Sequence, residues 1–406
     1  MKFSKRTDWE SAPNALSACL ARLKQAGEPV IDLTESNPTR CGFKFLNAAW
    51  LKPLSDEANL RYEPHPKGLL EARESVCAYY RELGYAVNPE QVFLTASTSE
   101  AYSYLFRLLT DPGDRVMAPQ PSYPLFDYLA QLGDVQMERY RLRYDAAWKL
   151  DKASLTGQTA KAVLTVNPNN PTGTVIGPGE RTALNNFAGE ANAAIISDEV
   201  FLDYVRDEDL RRSASFAAND TVLTFTLSGV SKLMALPQMK LSWIVVSGPP
   251  DERDEAVRRL EIIADAYLSA NTPSQRALAT WMQMRPEATA EIRGRLKENG
   301  DCLAAWVRES GRLELLSSDG GWYAVLKAKT EISDEDLAVN LLERRHVYVY
   351  PGYLFDFEEG TYLVISLLPE SAIFQEGLER LKRDNFFFGD LENTAECGDR
   401  GSGLIG

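Results

Sequence analysis

Residues 161–173 read KAVLTVNPNNPTG and residues 192–198 read NAAIISD. Each is a short aliphatic and β-branched run that stops at polar, turn-forming side chains. An unbroken apolar run of this length, without the alternation of a half-exposed strand, suits a strand covered on both faces. Working outward, the same pattern recurs at QVFLTAS (91–97), DRVMAP (114–119), TVLTFTLS (221–228) and LSWIVVS (241–247), with helical patterns between the runs. Strands spaced by helices predict a mostly parallel sheet with helices on both faces, an α/β domain. Such sheets gather their ligand-binding groups beyond the carboxyl ends of the strands.

After about Pro273 the chain changes character. A long helical pattern over 274–311 leads into GGWYAVLKA (320–328), HVYVYPG (346–352) and TYLVISLLP (361–369), which predicts a smaller α+β domain behind the large one. The final stretch, NTAECGDRGSGLIG (393–406), reads as a loose tail, and no internal repeat is present.

Composition narrows the function. At 406 residues the chain is long enough for two or three folding units sharing a cleft, and 44% hydrophobic with 25% charged residues is a globular balance. A net charge of -14 works against partners such as nucleic acids or anionic membranes. No stretch approaches the roughly 20 apolar residues of a membrane helix, and MKFSKRTDWESAPNA lacks the apolar segment of a signal peptide, so a cytoplasmic location is expected. Five scattered cysteines read as reduced bystanders rather than a disulfide or zinc framework. With two histidines, His65 and His346, a metal site or a His-based triad has little material, and acid-base work falls to other residue types.

The residues just beyond the strands carry the chemistry. They are Ala96-Ser97-Thr98-Ser99-Glu100, Asn167-Pro168-Asn169-Asn170-Pro171-Thr172-Gly173, Asp198, and Ser228-Gly229-Val230-Ser231-Lys232. In this order and spacing, from about Ile31 to Pro369, the set resembles the fold-type I aminotransferases of the aspartate aminotransferase superfamily. The resemblance implies a large domain with a mostly parallel seven-stranded sheet between helices (46–285). It also implies a smaller α+β domain (286–388) joined by an N-terminal arm (1–45), with 389–406 as a tail. It implies pyridoxal 5'-phosphate as cofactor, an amino donor and a 2-oxo acid acceptor as substrates, and a homodimer.

Residue by residue, Lys232 matches the lysine that holds the cofactor as a Schiff base and later shuttles the proton. Asp198 matches the carboxylate paired with the pyridine nitrogen, and it also reads as a turn cap. Asn170 matches the ligand of the cofactor's phenolic oxygen, and is equally a turn former between two prolines. Ser97, Thr98 and Ser99, at the start of the helical pattern EAYSYLFRLLT, match the phosphate loop, with N-capping as the competing reading. Ser231 and Lys240 complete that cradle, with Lys240 standing where most of the family has an arginine and so losing a two-pronged contact. Tyr123 matches the aromatic stacked on the ring, and Tyr62 the tyrosine that reaches the neighbouring subunit's phosphate.

Three departures bear on the substrate. Phe201 replaces a tyrosine whose hydroxyl meets the phenolic oxygen, which is expected to raise the imine's pKa. Val364 stands at the place of the arginine that clamps the substrate carboxylate. Ser36 replaces a glycine that helps to hold it. Arg40, in the same loop as Ser36, is a candidate substitute clamp or a solvent-facing residue, and Tyr350 and Tyr353 are candidates for shaping specificity. A lyase, decarboxylase or racemase on the same scaffold remains open, as does a non-catalytic cofactor-binding protein.

Overall fold

The computed structural model describes residues 1–9 and 12–388, and the suggested tail over 389–406 lies outside the described residues. Helix α1 (Ala15–Gln25) and strand β1 (Ile31–Asp32) open the chain, and 3-10 turns lead to α2 (Leu70–Glu82). A βα succession follows: β2 (Val92–Thr95), α3 (Thr98–Leu109), β3 (Arg115–Gln120), α4 (Leu125–Leu132), β4 (Gln136–Asp145), β5 (Ala147–Leu150), β6 (Ala162–Val166), α5 (Pro178–Ala191), β7 (Ala194–Asp198), α6 (Glu208–Ala214), β8 (Thr224–Gly229), α7 (Val230–Leu233) and β9 (Ser242–Ser247). These strands form one sheet in the order β2-β9-β8-β7-β6-β3-β4-β5. Neighbours from β8 through β4 pair in parallel, while β9 runs against both β2 and β8.

Seven of these strands answer to the expected sheet. The eighth, β5, folds back on the long β4 as an antiparallel hairpin turned at Ala146, whose φ is 57°. The apolar runs behave as doubly covered strands should. In β9, Trp243 and Val245 enter the core on one face of the sheet, and Ile244 and Val246 enter the core on the other. Trp243 is fully buried, so truncating it to Ala would cost about 3–5 kcal/mol.

Beyond α8 (Pro250–Tyr267), α9 runs from Thr272 to Ser310, capped at its start by the Asn271 side chain and ended at Gly311 in a left-handed conformation. It contains Pro286 and continues through it. Leu278 and Trp281 of its first half pack into the large core, and Leu303 and Trp306 of its second half into another. That second core underlies the antiparallel sheet β10-β11-β14-β13, made of β10 (Leu313–Leu315), β11 (Tyr323–Ala328), β13 (Tyr350–Pro351) and β14 (Thr361–Ser366). It is closed by α10 (Asp334–Arg345), α11 (Ser371–Lys382) and α12 (Asn385–Phe388). The N-terminal segment joins it. Strand β1 pairs in parallel with β12 (Val347–Tyr348), and Leu16, Leu23 and Leu33 share its core.

Candidate active site

Strands β2, β6, β7 and β8 end at one edge of the large sheet, and a cavity of about 510 Å³ opens there against β11 and the 350–355 loop of the small domain. Of the residues singled out in the sequence, Ser36, Ser97, Thr98, Ser99, Tyr123, Asn170, Asp198, Phe201, Ser231, Lys232 and Lys240 all line it.

Lys232 lies in the single turn of α7 directly after β8. Burial pushes the pKa of its ammonium down, opposed only by the charge of Asp198. Its Nζ sits 5.2 Å from the centre of the Trp322 ring, an apolar wall that gives the amine no acceptor. The backbone is held from below, where the Tyr204 hydroxyl donates to the Lys232 carbonyl at 2.7 Å.

Asp198, the last residue of β7, is buried, and burial lifts its carboxyl to about 6. Two donors oppose that lift: the Val200 N–H to Oδ1 at 3.2 Å and the Tyr102 hydroxyl to Oδ2 at 3.0 Å. The carboxylate is therefore fixed and ionised at neutral pH. It belongs to the cavity, not to a turn cap alone.

The three asparagines beyond β6 divide their work. Asn167 donates to the Ala214 carbonyl and accepts from the Ile176 N–H, and Asn169 donates to Pro121 and Thr172. Asn170 does neither, and its buried Oδ1 has no protein partner. Two asparagines build the loop, which leaves the third free for a ligand. The loop is closed at Gly173, where φ is 69° and where any Cβ would collide with the Gly320 carbonyl.

At the other end of the cavity, the Ser97 hydroxyl caps α3 by accepting from the Glu100 N–H at 3.1 Å. That settles which serine is the cap. The N–H groups of Thr98 and Ser99, in the first turn, have no acceptor within the helix and stand at its positive end. Lys240, exposed and in a left-handed conformation between α7 and β9, supplies a cation to the same cavity. An anion such as phosphate fits there.

The wall opposite Lys232 is neutral. Ser36 hydrogen-bonds the Tyr323 hydroxyl, and Tyr350 bonds Thr34. Val364 is fully buried in an apolar cluster with Val325 and Phe355. Neither remaining candidate enters the cavity. Arg40, with its side chain 74% exposed, lies 3.8 Å from Glu35 and faces solvent. Tyr353 turns outward, where its hydroxyl meets Asn14 at 2.8 Å and Glu335 at 3.3 Å. Tyr62 lines a separate pocket with His65 and Gln275 and is 73% exposed. Sequence reading missed Tyr102, Tyr204 and Trp322. Only Tyr102 carried a signal, one turn into a helix whose start faces the cavity.

A half-buried lysine, a fixed carboxylate, an unpartnered amide oxygen and a cationic helix end suit a small ligand with a carbonyl carbon, a basic ring and a phosphate. Pyridoxal phosphate has these groups, so the residues fit it. The family model for aminotransferase class I and II matches residues 28–374. Glutamate-pyruvate aminotransferase of Haemophilus influenzae is 27% identical over 375 residues, covering 89% of this chain and 92% of that protein. S-alkyl-thiohydroximate lyase of Arabidopsis thaliana is 24% identical, covering 78% of this chain and 70% of its own length. Among solved structures, alanine aminotransferase from Pyrococcus furiosus superposes with a TM-score of 0.84 at 26% identity, covering 94% of this chain and 98% of that one. A match that runs from the segment before β1 into α11 takes in both domains and every strand end described above, and by it the chain belongs to the class I and II aminotransferases, enzymes that transfer amino groups with pyridoxal phosphate.

Proposed function

We propose that Lys232 is the attachment and proton-transfer residue, Asp198 the anionic partner of the cofactor ring, and Asn170 the ligand of its phenolic oxygen. Thr98, Ser99, Ser231 and Lys240 then bind its phosphate. The observation that carries this reading is one cavity lined by Lys232, Asp198, Asn170 and the start of α3, in which burial lowers the pKa of the lysine and Asp198 is its one charged influence. Pyridoxal phosphate, when bound, supplies an aldehyde that condenses with amines and a ring that stabilises negative charge on the adjoining carbon.

The chain does the rest. Lys232 Nζ, whose burial favours the neutral, nucleophilic form, would form the attachment. Once a substrate amine has displaced it, the same nitrogen takes the proton from the substrate carbon and returns it elsewhere. Asp198, held by the Tyr102 hydroxyl, would keep a positive charge on the ring nitrogen. Tyr123 and Phe201 line the same cavity and would flank the ring. Two of the named relatives are a glutamate-pyruvate and an alanine aminotransferase, and by that likeness we assign this chain a small amino acid donor and a 2-oxo acid acceptor.

The subunit we infer is half of a cytoplasmic homodimer. Exposed Leu51, Leu60, Tyr62 and Tyr267 support an apolar contact face, and Tyr62, outside its own cavity, serves the partner's. Among the described residues no helix is long and apolar enough to cross a membrane, and the described cysteines are free. We infer a large domain over 46–285 and a small one over 286–388 with 1–45, a division supported by the core that Leu16, Leu23 and Leu33 share with Leu303, Ile365 and Phe374, with α9 crossing between them.

The test is a titration of cofactor-loaded protein with amino acids, followed by absorbance, and then addition of pyruvate. Transamination bleaches the lysine-bound chromophore, and pyruvate restores it while forming alanine. Release of ammonia or thiol with the chromophore unchanged, and no dependence on an acceptor, would replace transamination by lyase chemistry. For the dimer, Lys232→Ala mixed with Tyr62→Phe protein should regain activity, because one site of each mixed pair carries neither lesion. Proven subunit exchange without recovery would assign Tyr62 to its own chain.

A further inference from the structure

On the far side of Tyr323 lies a second cavity, of about 660 Å³, bounded by the large domain at 204–206, the second half of α9 and the strands β10 and β11. Its walls are of two kinds. Leu296, Leu303, Leu316 and Leu367 make an apolar floor. Beside them stand the guanidinium groups of Arg206 and Arg293, and among the described residues no carboxylate comes within 4.0 Å of either. Arg206 donates to the Ser318 hydroxyl at 2.9 Å, and Arg293 donates to the Asp203 carbonyl at 2.7 Å. Both contacts are neutral. Lys297 and Asp301, on the rim, cancel each other at 2.6 Å. In a chain of net charge -14, two guanidiniums that form no ion pair, Arg206 feeling only the more distant charge of Asp319, make a local positive site beside an apolar floor.

A glycine keeps the space open. Gly300 lies in the interior of α9, where glycine is unfavourable, and its φ is not one that requires it. A Cβ built there meets only Leu367 Cδ1, at 3.9 Å, so a larger side chain would grow into the cavity rather than into the fold.

This space is wired to the candidate active site. Its 317–321 wall donates the Asp319 and Gly320 N–H groups to the Gly173 carbonyl, which ends the Asn170 loop. The same wall holds the 204–206 segment through Gly321 to Tyr204 and Arg206 to Asp319. Tyr204 in turn anchors the Lys232 carbonyl, and Tyr323 lines both cavities.

We propose that this cavity is a regulatory site for a small carboxylate with an apolar body. The carboxylate sits on Arg206 and Arg293, the body lies against the leucines, and the 317–321 wall transmits occupancy to Lys232 and Asn170.

The experiment is calorimetry and turnover on cofactor-loaded enzyme with octanoate as the probe and octylammonium as the charge-reversed control. Octanoate should occupy a site that octylammonium does not, with turnover changing as it fills. Arg206→Gln should weaken that site by at least tenfold. Gly300→Leu, which fills the cavity and favours the helix, should abolish both binding and the turnover response while basal turnover persists. Far-UV circular dichroism and the cofactor absorbance verify that both variants fold. Octanoate binding equally well to both variants, octylammonium binding as well as octanoate, or no binding at all would overturn the site. Binding without any change in turnover would overturn its regulatory role.

Discussion

The two ends of the active-site cavity are built from opposite materials. The cofactor end is crowded with committed groups: Asp198 under two donors, Asn170 with an unpartnered oxygen, Lys232 against Trp322, and the open start of α3. The other end presents the neutral hydroxyls of Ser36, Tyr323 and Tyr350, with Val364 buried in an apolar cluster behind it. Under the proposed function, the reaction is set by fixed charge, whereas recognition is left to shape and neutral hydrogen bonds. Such a pocket discriminates among substrates weakly by charge and more strongly by the fit of the body.

The largest effect expected is at the cofactor end. Lys232→Ala should lower kcat/KM by at least about 10⁴-fold and leave no label after borohydride reduction, because no other amine stands in the cavity wall near Asp198. Label recovered on Lys240 by peptide mapping would break the contrast. Asp198→Ala should cost on the order of 10³-fold in kcat while retaining some cofactor through the phosphate end, and near-normal turnover would remove Asp198 from its role.

Placing a charge at the other end should act on stability instead. Val364 is fully buried, with Val325 and Tyr350 as its strand partners, so Val364→Arg should lower the unfolding free energy by about 3 kcal/mol. Urea unfolding measures this. An intact midpoint with a tighter KM for amino acids would show that the neutral end tolerates a clamp.

The residue after Asp198 offers a test by pH. Glu199 is buried on the opposite side of the strand, its oxygens accepting from Ser197, Ser215 and the Phe216 N–H. Burial nonetheless raises its carboxyl from 4.5 to about 7. The folded state then holds the proton more tightly than the unfolded chain. The stability this gives is complete below about pH 4.5 and is lost as pH rises through 7, a decline of about 3 kcal/mol. Cofactor-free Asp198 shifts in the same direction. Glu199→Gln should flatten the profile, and an unchanged slope would assign the decline elsewhere. The smallest effect is expected at Tyr323→Phe, where loss of one neutral hydroxyl should raise KM about 3- to 10-fold with kcat nearly constant.

The same contrast governs what could be read in the sequence. Asp198, Asn170 and Lys232 follow directly on strands, and a strand end in a parallel sheet is a place that local sequence pattern reveals. Ser97 was ambiguous because a cap and a phosphate ligand use the same residue type, and only the Glu100 N–H contact decided it. Tyr204 and Trp322 were not legible, since one acts on a backbone carbonyl 28 residues away and the other arrives from the small domain. Arg40 and Tyr353 had suitable chemistry in suitable loops, but the direction of a loop side chain depends on packing that no local pattern encodes. Strand β5 escaped notice because AWKL is short and half exposed, a weak strand signal stabilised by its hairpin with β4.

Helix α9 has a consequence for how the molecule comes apart. Its 39 residues span about 58 Å, and they are at once a wall of one core and a wall of the other. Of the two places where the chain passes between the domains, the one at α9 is therefore a stretch of hydrogen-bonded helix rather than a linker that a protease can enter, the other being the turns around residue 45. Digestion should trim ends and surface loops long before it parts the halves. Any relative tilt of the halves must be taken up as curvature near Pro286, where the ladder already lacks one N–H. The domains share a beam and flex or melt through it together.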